Sequence, residues 1–167
     1  AQARVMTSAW RGQVEARPGL IELASTPGEP PILRATAVLE TARFPSQEAL
    51  AMIQLRLDDK DPLVRGAAAR ALEQLPTGNR YALLQPLITD PSKSVRMEVA
   101  RVLADMSPER VSANGQGELT ALRKEYLDSL TLNADMPESL LNLGVYMSLS
   151  GKPEEAEQAY RKALKLS

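Results

Sequence analysis

Neither cysteine nor histidine occurs anywhere in the 167 residues. Without cysteine the chain has no disulfide, thiolate metal site or site for covalent haem attachment. Without histidine there is no imidazole ligand, and no Cys–His or Ser–His pair to activate a nucleophile. Aromatics make up 4% of the residues, with one Trp and one Phe. An excess of one charge is missing too. Lys and Arg number 20 against 21 Asp and Glu, and neither residues 1–106 nor 107–167 departs far from balance. The concentrated positive field that grips a phosphate backbone is therefore absent, which disfavours a nucleic-acid partner. No apolar run reaches the roughly 20 residues of a membrane span, and no signal-peptide pattern is visible. Most routes to catalysis are closed. No catalytic, cofactor-binding or metal-ligating residue is expected.

Ala (23) and Leu (25) far outnumber Val (9) and Ile (4). Leu and Ala favour helix and β-branched residues favour strand, so the chain reads as all-α. A fixed period sharpens this. The segments opening at Pro31, Pro62 and Ser94 align, with Arg34, Arg65 and Arg96 spaced 31 apart. Pro45 and Pro76, Met52 and Leu83, Leu57 and Ile88, and Asp59 and Asp90 keep the same step. Each unit reads as helix, tight turn, helix. Pro45 or Pro76 opens the first helix; Asp61-Pro62 or Asp90-Pro91 opens the second, with Asp as its cap. Pro86 is expected to kink the helix around it.

The pattern Asp61-Pro62-Leu63-Val64-Arg65, continuing through Ala67-Ala68 to Ala71-Leu72, resembles short HEAT repeats. A weaker echo runs from Asp90 to Leu103, and an atypical first unit has Glu29-Pro30-Pro31 in place of Asp-Pro and a poorly marked helix near Pro18–Ser25. From Pro137 onward the period changes. Leu140, Leu143-Gly144, Gly151, Ala156, Tyr160, Ala163-Leu164 and Leu166 resemble one tetratricopeptide (TPR) repeat. Tyr126, Leu130 and Leu132 lie 34 residues before Tyr160, Leu164 and Leu166, which makes Glu118–Asn133 the second helix of a preceding half-repeat. Leu140 departs from the commoner Trp, and Met147 from Tyr. Gly144 and Ala156 are expected to be small where two helices cross, and Gly151 to close a helix with positive φ.

The expected architecture is thus a right-handed α-solenoid of stacked antiparallel helix pairs. Three HEAT-like units cover 1–106, the first atypical. A joint covers 107–117, with Ser107-Pro108-Glu109 as a cap and Asn114-Gly115-Gln116-Gly117 as its most flexible stretch. A TPR-like region of one and a half units covers 118–167. Such units bury their apolar faces by stacking, so a continuous core is expected across the joint. The chain begins Ala1-Gln2-Ala3 and ends in a helical pattern, and so reads as a piece of a longer protein.

Other features carry a bland reading beside the functional one. The arginine series would form a basic ladder able to hold carboxylates or phosphates, or each arginine would bond a turn of the adjacent unit. The recurrence of Asp59, Asp61 and Asp90 favours the second. Asp58-Asp59-Lys60-Asp61 lacks the spacing of a calcium loop and reads as helix capping. Glu154, Glu155 and Glu157 suit the start of a helix. Tyr126 and Tyr160 read as core, and Tyr146, off their positions, as partly exposed. Trp10 is either the cap of the first unit or part of an interface.

In TPR arrays the first helix of each unit lines the groove. The resemblance therefore implies partner contacts at Glu138, Leu141, Asn142, Val145, Ser148 and Leu149, with Asn142 bonding a peptide backbone. The expected function is a non-catalytic scaffold that binds a partner protein or peptide, or another domain of the same chain, on its concave face. Short HEAT units followed by TPR units also resemble the C-terminal region of bacterial multihaem c-type cytochromes. That resemblance implies an accessory docking module, periplasmic rather than cytoplasmic, beside an electron-transfer domain. Some HEAT families are catalytic. A di-iron hydroxylase type is excluded by the lack of His, and a bilin-lyase type finds no candidate nucleophile.

Overall fold

A computed structural model of the chain describes residues 2–166. Among them all regular secondary structure is helical, with ten α-helices and four short 3₁₀ turns. The helices are α1 (Gln2–Trp10), α2 (Arg17–Ser25), α3 (Pro31–Thr41), α4 (Gln47–Arg56), α5 (Pro62–Ala71), α6 (Thr77–Leu84), α7 (Lys93–Val102), α8 (Ala113–Leu132), α9 (Pro137–Leu149) and α10 (Pro153–Leu166). The fold class is all-α, built from helical hairpins of the α-solenoid kind. Two compact units form, one from the segment ending at Pro76 together with Asp90–Val99, the other from Thr77–Thr89 together with the chain from Ala100 onward.

The first unit stacks its hairpins in register. α3 packs on both α2 and α5, while α4 packs on α2 and α5. The starts of α3, α5 and α7, at Pro31, Pro62 and Lys93, are 31 residues apart. Pro31 and Pro62 occupy the first helical turn, where a missing N–H costs nothing. Ser46 caps α4 through the Ala49 amide at 3.0 Å, and Asp61 caps α5 through the Leu63 amide at 2.9 Å. The core is made of small and branched side chains, among them Leu20, Val38, Val64, Ala68, Val95 and Val99. With so many alanines facing inward, neighbouring helices approach closely and packing replaces aromatic bulk. The opening helix that the sequence marks poorly is a regular α2 burying Leu20, Leu23 and Ala24.

Arginine and aspartate then lock one repeat to the next. Arg34 pairs with Asp59, both buried. Arg65 donates to the two carboxylate oxygens of Asp90 at 2.8 and 2.9 Å. The rest of each guanidinium goes to backbone. Arg65 Nη1 reaches the Asp59 and Lys60 carbonyls at 2.8 and 3.2 Å, and Arg96 Nη1 the Asp90 and Pro91 carbonyls at 2.6 and 3.2 Å. Asp59 and Asp90 also accept from the amides of Asp61 and Ser92 at 3.0 and 2.8 Å. Asp90 is therefore the counterpart of Asp59 and a turn-pinning residue. The expectation that it caps the next helix is corrected, because α7 starts three residues later, at Lys93. Burial by itself would raise the Asp90 carboxyl. The hydrogen bonds from Arg65 and from the Ser92 amide outweigh it and hold the group below the usual carboxylate range.

In the second unit α6 gives way at Gln85 to a 3₁₀ turn, Gln85–Leu87, because Pro86 cannot continue the α-helical ladder. The stretch Asn114–Gly117, expected to be flexible, is the first turn of α8. Ser112 caps it through the Gly115 amide at 3.3 Å. Gly115 lets the Tyr81 hydroxyl approach closely, and a Cβ there would push that side chain aside. Ser107 accepts no capping hydrogen bond and instead donates to Glu109. Arg80 and Thr77 both hold Asp105, at 2.5 and 2.6 Å. Arg123 donates to the carbonyls of Leu103, Ala104 and Met106, satisfying groups freed at the end of α7.

Candidate functional site

The six groove residues implied by the sequence all lie on α9, in the second unit, and all six are exposed. Pro137 occupies the first turn of α9, after Met136 in extended conformation. Leu141, Val145 and Leu149 follow at four-residue spacing, so they form one stripe along the helix. Their exposures are 46%, 47% and 48%. Three aliphatic side chains left half in water, in line over two turns, are a surface feature needing explanation in a way that a lone exposed Leu is not. Glu138 continues the stripe toward the N-terminus, while Asn142 and Ser148 flank it. The Asn142 side-chain amide makes no hydrogen bond among the described residues, so its donors and acceptor face solvent.

Three contacts fix the orientation of this stripe. Gly144 lies against the Tyr160 ring of α10, where a Cβ would run into the ring edge. Tyr146 packs on Tyr126 of α8 with ring centroids 4.9 Å apart and planes tilted by 51°. Ser150, just past α9, donates to the Ala104 carbonyl at 3.2 Å. Gly151 then turns the chain with φ of 76°, and the Lys152 amide closes on the Met147 carbonyl at 2.9 Å. Gly144 toward α10 and Tyr146 toward α8 leave the Leu141 stripe facing away from both.

Tyr146 corrects an expectation. It is 3% exposed, because the Tyr126 ring covers it. Its hydroxyl is buried and makes no well-formed hydrogen bond, although the Ser150 side chain lies beside it. Burial pushes the phenol up, against the opposing influence of Arg123 and Ser150.

The other candidate groups are engaged in structure. Arg34, Arg65 and Arg96 bond neighbouring turns, as described above. Of the carboxylates at 58–61, Asp59 is held by Arg34 and Asp61 caps α5, leaving Asp58 exposed. No group of three acidic side chains able to hold a metal ion gathers among the described residues. Glu154, Glu155 and Glu157 are exposed at the start of α10; Glu157 pairs with Arg161 at 2.7 Å, and Glu155 lies 3.9 Å from Lys152. Trp10 is 63% exposed at the end of α1. No helix among the described residues is long and apolar enough to cross a membrane.

Residues 17–83, from α2 to α6, match the HEAT-repeat family model. This segment, less than half of the chain, is HEAT-like, and it holds the Arg34–Asp59 pair together with the first hairpins of the stack. No curated protein and no solved structure matches the chain.

Proposed function

We propose that the chain is a non-catalytic interaction scaffold that binds a protein or peptide along α9. The observation that carries this reading is the stripe of Leu141, Val145 and Leu149, exposed on a helix that is otherwise pinned on two sides. An ordered apolar row beside an unengaged amide offers what a peptide needs: anchors for side chains and a hydrogen-bond partner for its backbone. The HEAT match supports the same reading, since repeats of this kind commonly hold other proteins. We also propose that α9 and α10 form a TPR-like hairpin preceded by α8. The close Gly144–Tyr160 contact and the Gly151 cap support that assignment.

Selection of a displayed peptide library on the chain tests the proposal. Selected peptides should lose at least tenfold in affinity to Leu141→Glu, equivalent to about 1.4 kcal/mol. They should lose several-fold to Asn142→Ala. Peptides indifferent to both substitutions would reject α9 as the binding face.

A further inference from the structure

A second surface lies on the other side of α9. An open trough of about 500 Å³ runs between α9 and α10, floored by Leu140, Leu143, Met147 and Ala159 and bounded by Thr131 and Ala134 at the end of α8 and the turn after it. Leu140, Leu143 and Met147 follow helical spacing on a face opposite to Leu141 and Val145. The trough's α10 wall carries Glu155 near its start and Lys162 and Lys165 in its last two turns. Both lysines are exposed and have no ion-pair partner among the described residues, whereas Glu155 already lies near Lys152. The rim is therefore positive at one end and close to neutral at the other.

We propose that this trough docks an amphipathic helix of a protein partner, with its apolar stripe on the floor and carboxylates meeting Lys162 and Lys165. The shape argues for a helix: two antiparallel helices present apolar ridges with a furrow between them, and a third helix fills such a furrow by ridge-into-groove packing. The length agrees. The α10 lining from Glu155 to Leu166 extends about 16 Å, or three helical turns. Met147 supplies an unbranched side chain that adapts to the stripe laid on it. The sign of the partner's charge follows from the two free ammonium groups, whose pairing with carboxylates also favours one direction of the docked helix.

The test uses the full chain and a fluorescein-labelled, helix-stapled peptide of about five turns, with Leu at i, i+3 and i+7 and Glu on the flanks at one end. Anisotropy should show saturable binding to the unaltered protein. The affinity should fall at least tenfold in Lys162→Glu/Lys165→Glu, and the same peptide with Lys for Glu should prefer that variant. Leu55→Glu, at an exposed site on α4, serves as the control and should leave binding unchanged. Circular dichroism checks that the variants fold, as expected for exposed positions. The inference is overturned by absence of binding at about 1 mM peptide, or by equal binding of both peptides to both proteins. It is also overturned if sedimentation shows that the trough is filled by a second copy, with a dimer that the lysine substitutions dissociate. None of these results touches the α9 stripe, which is read by Leu141→Glu.

Discussion

Arg65 grips Asp90 through both Nε and Nη2, at 2.8 and 2.9 Å, across 25 residues of sequence. The same interval separates Arg34 from Asp59 and Arg80 from Asp105. An arginine on one helix thus closes on the turn that leads out of the next. Removing one partner strands a charge that is already out of water. Asp90→Ala should cost about 3 kcal/mol in urea unfolding, because Arg65 would lose both hydrogen bonds to its paired carboxylate. Asp128→Ala, which breaks the exposed Lys124–Asp128 pair, should cost less than about 0.5 kcal/mol. Similar losses for the two would mean that the ladder is ornamental.

Acid should expose the same pair. The Asp90 carboxyl is held below its ordinary value, about 3.9 in an unfolded chain. Between the folded and unfolded values the unfolded state binds more protons. The stabilisation is therefore complete above the unfolded value and lost as pH falls through the folded one. The urea midpoint should fall on acidification below about pH 4, and less steeply in Asp90→Asn. Identical acid slopes for the two proteins would remove Asp90 from the account.

Gly144 marks the tightest crossing in the α9–α10 hairpin. A methyl group there meets the Tyr160 ring, so Gly144→Ala should destabilise by about 1–3 kcal/mol despite its better helix propensity. Tyr160→Leu should recover part of the loss, a coupling that a double-mutant cycle reads directly. Simple additivity of the two changes would place the strain elsewhere.

The buried Tyr146 hydroxyl makes no well-formed hydrogen bond, with the Ser150 side chain the polar group beside it. Tyr146→Phe removes a desolvated polar group while keeping the ring on Tyr126. Stability should be unchanged or rise by up to about 1 kcal/mol. A loss of more than about 1 kcal/mol would show that the hydroxyl is satisfied in solution.

The 31-residue step made the helices of the first unit and the roles of Arg34 and Arg65 readable from sequence, because each repeat faces the same neighbour geometry. Arg80 escaped that register. It sits on α6, the first helix of its hairpin, and its link to Asp105 shows only once the chain is folded. The burial of Tyr146 is hidden from the sequence for a related reason. Its burial depends on Tyr126, twenty residues earlier and on another helix, and no local pattern encodes that contact. The Gly-rich start of α8 looks like a loop by composition. The helix forms there because Ser112 caps its first turn, while Gly115 lets the Tyr81 hydroxyl approach closely. The α9 stripe was legible as motif positions, yet its isolation from the rest of the unit is a tertiary fact.

The most direct test of the α9 face is a titration of the ¹⁵N-labelled chain with a library-selected peptide, followed by amide chemical shifts. The account predicts that the largest changes fall on Leu141, Asn142, Val145, Ser148 and Leu149 and vanish in Leu141→Glu. Changes concentrated on α3 and α5, or persisting unchanged in that variant, would contradict it.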